Sequence, residues 1–223
     1  MIDFASARTK MVESQLRTEN VTDYGILAAM SDIPRELFVP GKFAALAYID
    51  EDLQVKAASG GAPARYLMEP APFARLIQEA EVLPTETALV VGGGTGYAAA
   101  VLSRLVASVV MVESDPELAR LAGKVLGEIG SGNVSVVTGP IEAGCADKAP
   151  YDVILLDGAV EAVPDALFAQ LKEGGRLVGI IGYGRAAPAM LYTKADGDIG
   201  GRPVFNAHVQ PLPGFRKPAE FVF

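Results

Sequence analysis

The chain carries two kinds of hydrophobic pattern. From residue 81 onward, short continuous apolar runs alternate with segments of helical periodicity, whereas residues 1–80 look helical and irregular. Continuous apolar runs are typical of strands buried on both faces, and their alternation with helices indicates a mostly parallel sheet. The pattern predicts a doubly wound, Rossmann-like α/β fold behind an N-terminal helical cap. We expect one domain over residues 1–223.

The pattern also places the individual elements. It predicts strands at residues 88–91, 108–112, 134–137, 151–156, 176–181, 189–193 and 204–212. It predicts helices at residues 5–17, 23–32, 72–81, 97–105, 115–129 and 164–171. No helix separates the last two strands, which indicates an antiparallel hairpin at one edge of the sheet.

A glycine loop directly follows the first strand of this sheet. The loop contains Gly92, Gly94 and Gly96, and Glu113 ends the next strand. In a doubly wound sheet both features lie at the carboxyl ends of neighbouring strands, where ligands bind. A carboxylate there can accept both ribose hydroxyls of an adenosine-containing cofactor. The alternative is a tight turn with a solvated acid, because such motifs also occur by chance.

The spacing of the glycines leaves the cofactor open. Gly92, Gly94 and Gly96 give the GxGxG spacing that resembles the first motif of S-adenosylmethionine-dependent methyltransferases. Gly94, Gly96 and Ala99 also match the dinucleotide pattern GxGxxA, so the spacing does not exclude NAD. The dinucleotide register fits the end of the strand less well.

Several stretches resemble the protein-L-isoaspartate O-methyltransferases. They span roughly residues 8–212 and are found at residues 11–17, 21–23, 33–40, 46–48, 94–97, 149–152 and 171–178. The run Pro-Arg-Glu-Leu-Phe-Val-Pro at residues 34–40 is far more specific than a glycine loop. The resemblance implies a seven-stranded methyltransferase fold, S-adenosylmethionine as methyl donor, and altered aspartyl carboxylates of damaged proteins or peptides as acceptors.

The acceptor motif departs from this family. Where the family has Gln-Thr-Ile-Ser-Gln-Pro, this chain has Arg-Tyr-Leu-Met-Glu-Pro at residues 65–70. Met68 stands at the position of the key serine, and Tyr66 at that of the threonine. A methionine offers no hydrogen-bond donor to an acceptor carboxylate, whereas Arg65 and Tyr66 do. We therefore expect Arg65 and Tyr66 to form a different acceptor pocket. The alternative is a solvated Arg65 beside a packed Tyr66.

The cofactor motifs are only partly kept. Val90 replaces the acidic residue of the first strand, and Gly139-Pro140 replaces the Gly-Asp after the third strand, while Glu113 is retained. Asp157 follows the fourth strand, where it could contact a ligand or cap a helix starting near residue 160. The expected cofactor contacts are Gly92, Gly94, Gly96, Tyr97, Glu113, Ile141 and Asp157.

Composition narrows the classes of protein. The formal net charge of −8 argues against a sequence-independent nucleic-acid binder, which needs a basic surface. The single cysteine, Cys145, and the single histidine, His208, make disulfides and zinc ligation improbable. Neither a secretory signal nor an apolar run long enough to span a membrane is visible. We therefore expect a cytoplasmic protein without nucleic-acid, membrane or metal partners.

Three functions follow from these observations. The leading interpretation is an S-adenosylmethionine-dependent methyltransferase of the isoaspartyl type. The second is a non-catalytic relative with a binding or regulatory role, which the changes at Met68, Val90 and Pro140 motivate. The third, an NAD-linked oxidoreductase, depends only on the overlapping glycine pattern. Methylation of a carboxylate requires no general base at pH 7, so the lack of a His–Asp pair does not count against the first.

Overall fold

A seven-stranded sheet forms the centre of the protein. The computed structural model describes residues 2–215, and the strands lie in the order β5-β4-β3-β6-β7-β8-β9. The strands of this sheet are β3 (Thr87–Val91), β4 (Ser108–Glu113), β5 (Val134–Thr138), β6 (Tyr151–Val160), β7 (Leu171–Ile181), β8 (Ala187–Ala195) and β9 (Asp198–Ala207). The strands from β5 to β7 pair in parallel, whereas β8 and β9 pair antiparallel. The predicted fold class and the edge hairpin are confirmed.

Helices surround the sheet and build the N-terminal cap. The α-helices are α1 (Phe4–Met11), α2 (Tyr24–Asp32), α3 (Pro70–Ala80), α4 (Tyr97–Leu102), α5 (Pro116–Glu128) and α6 (Asp165–Ala169). The predicted first helix continues beyond α1 as a π-helical turn, Val12–Leu16, and a 3₁₀ turn, Arg17–Glu19. Within residues 2–215 no helix has the length and apolar character that crossing a bilayer requires.

The chain reverses its direction across the sheet between β3 and β6. From β3 the chain proceeds outward through β4 to β5, and then returns to place β6 on the other side of β3. Ligands of doubly wound sheets bind at such a switch point, beyond the carboxyl ends of the strands. The glycine loop after β3 and Asp157 on β6 therefore lie at the expected ligand-binding edge.

The strands β6 and β7 are longer than predicted, and two further parts of the strand pattern differ from the prediction. The last strand is Asp198–Ala207 rather than residues 204–212, because a tight turn at Asp196 and Gly197, both with positive φ, starts it earlier. Its polar, glycine-containing beginning carries no apolar pattern. A separate two-stranded antiparallel sheet, β1 (Leu53–Lys56) and β2 (Arg65–Leu67), was not predicted. We call residues 53–67 the β1–β2 hairpin.

Helix caps agree with the local sequence. The Asp23 carboxylate accepts a hydrogen bond from the N–H of Ile26 at 2.9 Å and begins α2, which ends before the Ile33–Pro34 pair. Asp115 caps α5 in the same way, with Pro116 in the first helical turn. Since Asp115 follows Glu113 closely, the capping geometry fixes the backbone beside that acid.

A buried arginine ties the N-terminal cap to the sheet region. Arg35 is fully buried; its Nε donates to the carbonyl of Ala47 at 2.7 Å and its Nη2 to that of Met68 at 2.6 Å. Its guanidinium lies 4.6 Å from the ring centroid of Tyr97, the first residue of α4. A buried carbonyl that loses its donor incurs a desolvation penalty, so Arg35 directly stabilises the contact between the N-terminal cap and α4.

We predict that Arg35→Ala lowers the free energy of unfolding by about 3 kcal/mol, because two buried carbonyls lose charged donors. Urea unfolding followed by far-UV circular dichroism measures the change. Arg202→Ala is the matched control: that side chain is 63% exposed and 3.7 Å from Glu79, so we expect a change within about 0.5 kcal/mol. Equal stability of the two variants would contradict this role of Arg35.

Candidate active site

The glycine loop turns sharply between β3 and α4. Its first residue, Gly92, donates its N–H to the carbonyl of Val112 on β4 at 2.9 Å, so the loop begins in register with the neighbouring strand. Gly96 precedes α4 with φ of 99°, a conformation that favours glycine. A Cβ at Gly96 would lie 3.1 Å from the Cβ of Ala122, so this glycine allows α4 and α5 to pack closely.

Glu113 lies beneath this loop at the end of β4. Its side chain has no exposed surface. One carboxylate oxygen, Oε2, accepts from the N–H of Gly94 at 2.8 Å, and the other, Oε1, from the N–H of Asp115 at 2.9 Å. The Ser114 hydroxyl lies 3.4 Å from Oε1. The loop and the acid therefore meet, as the sequence predicts, and each holds the other in place.

Arg65 completes the coordination of Glu113. Its Nη1 lies 2.5 Å from Oε1 and its Nη2 lies 2.8 Å from Oε2, a bidentate pair. The same Nη2 donates to the carbonyl of Gly92 at 3.0 Å. The Arg65 side chain is 5% exposed. The group that we expected to hold an acceptor carboxylate instead binds the carboxylate that we expected to hold the cofactor.

A second ion pair fastens the β1–β2 hairpin to the same edge. Lys56 on β1 places its Nζ 2.6 Å from Asp115 and 2.9 Å from Glu117. Burial raises the pKa of Asp115, but the hydrogen bonds from Lys56 and from the N–H groups of α5 together outweigh it and hold this pKa below its usual range. Together with Arg65 on β2, this contact spans the hairpin, so both of its strands are tied to the turn between β4 and α5.

Leu212, in the segment that follows β9, covers the backbone of the glycine loop. The segment after β9 runs beside Ala159, whose carbonyl accepts from the N–H of Leu212 at 2.8 Å. A Cβ at Gly92 would lie 2.6 Å from Leu212 Cδ2, and a Cβ at Gly158 would lie 2.8 Å from Leu212 Cγ. Ile141 packs in the same buried cluster. Leu212 and Ile141 thus occupy space beside the loop.

Asp52 links the hairpin to this final segment. Its Oδ1 accepts from the N–H of Glu69 at 2.8 Å, and its Oδ2 from the N–H of Gln210 at 2.7 Å. Burial raises the pKa of Asp52, and these two donors oppose the shift. One carboxylate therefore joins the base of the β1–β2 hairpin to the segment that carries Leu212.

Asp157 lies among these charged groups. It is 8% exposed, and burial raises its pKa to about 7, opposed by Arg65 and Arg35 and reinforced by Glu113 and Asp52. The alternative that Asp157 caps a helix is wrong, because β6 continues to Val160 and α6 begins at Asp165. A buried carboxyl with a shifted pKa at the switch point is typical of functional sites.

The other predicted acceptor residues do not meet Arg65. Side chains of a strand alternate between faces, so Tyr66 points away from Arg65, and its hydroxyl lies 3.5 Å from the Gln54 amide. Met68 is buried in the main hydrophobic core and offers its carbonyl to Arg35. The structure therefore does not bring Arg65 and Tyr66 into one pocket, because adjacent strand positions cannot share a face.

The Tyr97 side chain, an expected cofactor contact, is buried in the main hydrophobic core. Its ring packs edge-on against Phe38 at 5.5 Å and near Phe73 at 5.6 Å between ring centroids. Val90 is a core residue of β3. His208 lies just beyond β9, exposed, with Nδ1 2.9 Å from the carbonyl of Gly184.

Sequence reasoning missed four residues of this site: Lys56, Asp52, Leu212 and Arg35. Arg35 carried a signal, because it lies in the specific run at residues 34–40. The other three carried none, since their partners lie far along the chain. Within residues 2–215 no group of three or more His, Cys, Asp and Glu side chains is arranged to hold a metal ion.

The site does not fit an adenosyl group in this arrangement. A carboxylate offers about four lone-pair positions, and five donors already surround Glu113. The neighbouring cavity, lined by Ala62, Pro63 and Arg65 among others, has a volume of about 260 Å³. Small-molecule sites usually measure about 300–1,000 Å³. A ribose would have to displace Arg65, and Leu212 would have to leave Gly92.

The fold and the position of the site nevertheless define a class. A sheet of this order, with a reversed edge hairpin, a glycine loop after its central strand and an acid after the next, is a Rossmann-like methyltransferase fold. The model of the family described as protein-L-isoaspartate(D-aspartate) O-methyltransferase matches residues 6–212. The chain belongs to this family.

Individual relatives agree with this membership. A protein-L-isoaspartate O-methyltransferase of Koribacter versatilis is 38% identical over 211 residues, covering 95% of this chain and 92% of that protein. A solved protein-L-isoaspartate O-methyltransferase superposes with a TM-score of 0.79 at 31% identity, over 93% of this chain and 66% of the other. A Plasmodium falciparum structure solved with S-adenosyl-L-homocysteine gives a TM-score of 0.73 at 17% identity, covering 95% of this chain and 99% of that one, which shows the fold alone.

We predict that Asp157→Asn alters the pH dependence of stability. A folded pKa of about 7 lies above the ordinary value of 3.8, so ionisation favours the unfolded chain and wild-type stability is lost as pH rises between these values. Asp157→Asn should equal the wild type near pH 4 and exceed it at pH 8 by up to about 4 kcal/mol.

Urea unfolding of both proteins at several pH values measures this difference. Asp147→Asn, at an exposed position, is the control and should show no such divergence. A pH-independent difference between wild type and Asp157→Asn would contradict the shifted ionisation.

Proposed function

We propose that this protein is an S-adenosylmethionine-dependent O-methyltransferase that methylates carboxylates of altered aspartyl residues in proteins or peptides. The family match over residues 6–212 carries this proposal. The meeting of the glycine loop with Glu113 at the switch point supports it, because that is where such folds bind an adenosine. Family membership also argues against the NAD-linked alternative.

The chemistry demands alignment more than acid–base catalysis. An aspartyl carboxylate is ionised at pH 7 and needs no base to become a nucleophile. The chain's task is therefore to hold the acceptor carboxylate in line with the methyl group and to exclude water. Of the expected acceptor residues, Tyr66 keeps a hydroxyl at the surface, whereas Arg65 is turned towards Glu113. We retain Tyr66 as a candidate acceptor contact.

We place this activity in the cytoplasm. The single cysteine, Cys145, fits a reducing compartment, since secreted domains commonly depend on disulfides. The acidic charge of the chain disfavours nucleic acid as a partner. A protein or peptide substrate follows from the family.

A second candidate function is a non-catalytic member of the family that serves binding or regulation. One observation favours it: the carboxylate that would bind the cofactor is already saturated by donors from the chain itself. Methyl transfer to an isoaspartyl peptide separates the two candidates. A folded protein that binds S-adenosylhomocysteine and forms no methyl ester would favour the second.

We predict that the wild type forms a methyl ester on an isoaspartyl peptide and not on the aspartyl peptide of the same sequence. Glu113→Gln should lower the rate by on the order of 10- to 100-fold, because charged hydrogen bonds to the cofactor are lost. Transfer of label from S-adenosylmethionine measures it. Glu128→Gln, an exposed acid of α5, is the control and should match the wild type. An unchanged rate in Glu113→Gln would contradict this role of Glu113.

A further inference from the structure

The Arg65–Glu113 pair differs from the other ion pairs described above. Its two side chains are 5% and 0% exposed, whereas Lys56 and Asp115 are 27% and 18% exposed. A surface pair is easily exchanged for water, but a buried charge that loses its partner carries a large desolvation cost. Arg65 therefore leaves Glu113 only when another group satisfies the carboxylate or when the local structure opens.

Arg65 is a stronger obstacle to a ligand than Leu212. The atoms of Leu212 nearest to Gly92 are its terminal methyl groups, which a rotation about the side chain moves. Arg65 must break two contacts to Glu113 and one to the carbonyl of Gly92. The guanidinium thus determines whether a ribose reaches the carboxylate.

The hairpin that carries Arg65 has an exposed turn and a short strand ladder, two features that favour movement. Its turn contains Gly60 and Gly61 and is exposed over residues 57–63. Its two strands pair over four and three residues, with a register irregularity between Gln54 and Lys56. Such a short ladder provides few backbone bonds. The hairpin is held against the rest of the protein by the ion pairs at its two strands and by Leu53, Val55 and Leu67, which are buried in the main hydrophobic core.

We propose that Arg65 is the residue that controls access to the ribose-binding carboxylate, and that the β1–β2 hairpin is a latch that closes the adenosine site. The closed arrangement lowers the apparent affinity for an adenosine-containing ligand by the fraction of molecules that are open. This inference rests on the proposed function, because it takes Glu113 as the intended partner of a ribose.

Calorimetric titration with S-adenosylhomocysteine tests the latch. We expect Arg65→Ala to bind it about tenfold or more tightly than the wild type, because the ligand no longer breaks the ion pair. Arg65→Lys keeps a charge without the fork and should lie between the two. In Arg65→Ala/Glu113→Gln the gain should vanish, since the ribose loses its carboxylate. Arg202→Ala, the exposed arginine control, should match the wild type.

Folding is checked on the same samples by the thermal midpoint. Arg65→Ala should melt below the wild type, and the added Glu113→Gln should restore part of the loss, because no unpaired buried charge remains. Equal affinity of wild type and folded Arg65→Ala, or a gain that persists in the double variant, would overturn the latch. Tight binding by Arg65→Ala, with no methyl transfer to an isoaspartyl peptide by either this variant or the wild type, would instead refute the proposed function and leave the latch intact.

Discussion

The buried contact between Arg65 and Glu113 is the interaction around which this site is organised. It helps to hold the β1–β2 hairpin in place, limits what the glycine loop can contact and places two opposite charges beside Asp157. A buried pair of this kind is weak evidence for stability, because dehydrating both charges costs nearly what their attraction returns. Its importance here is positional, since it excludes other partners from the carboxylate.

The charges of the site come from opposite sides of one boundary. The N-terminal region supplies the cations Arg35 and Arg65 together with the anion Asp52, and the sheet supplies the anions Glu113 and Asp157. These are the two regions visible in the sequence, and the charge pairs between them make their contact specific as well as apolar. Family membership and the closed site are compatible, because the fold is inherited while individual contacts change.

Most of the sheet could be predicted, because each strand from β3 to β8 carries its own apolar run. The glycine loop and Glu113 were predictable because they lie at the ends of two of these apolar strands. The partner of Glu113 could not be predicted, since Arg65 lies 48 residues away and the sign of its charge alone does not show which carboxylate it pairs with. The strands β1 and β2 were not predicted because they are short and contain Lys56 and Arg65. The bounds of β9 were predicted wrongly because its first half is polar and rich in glycine.

Asp52 couples the two segments that cover the site, the β1–β2 hairpin and the segment that carries Leu212. One carboxylate oxygen holds the N–H of Glu69 and the other that of Gln210, 158 residues further along the chain than Asp52. Lifting the base of the hairpin therefore strains the terminal stretch, and shifting that stretch pulls on the hairpin. In the proposed latch, opening of the hairpin therefore also displaces the segment that carries Leu212, and because Asp52 couples the two they move at one common rate.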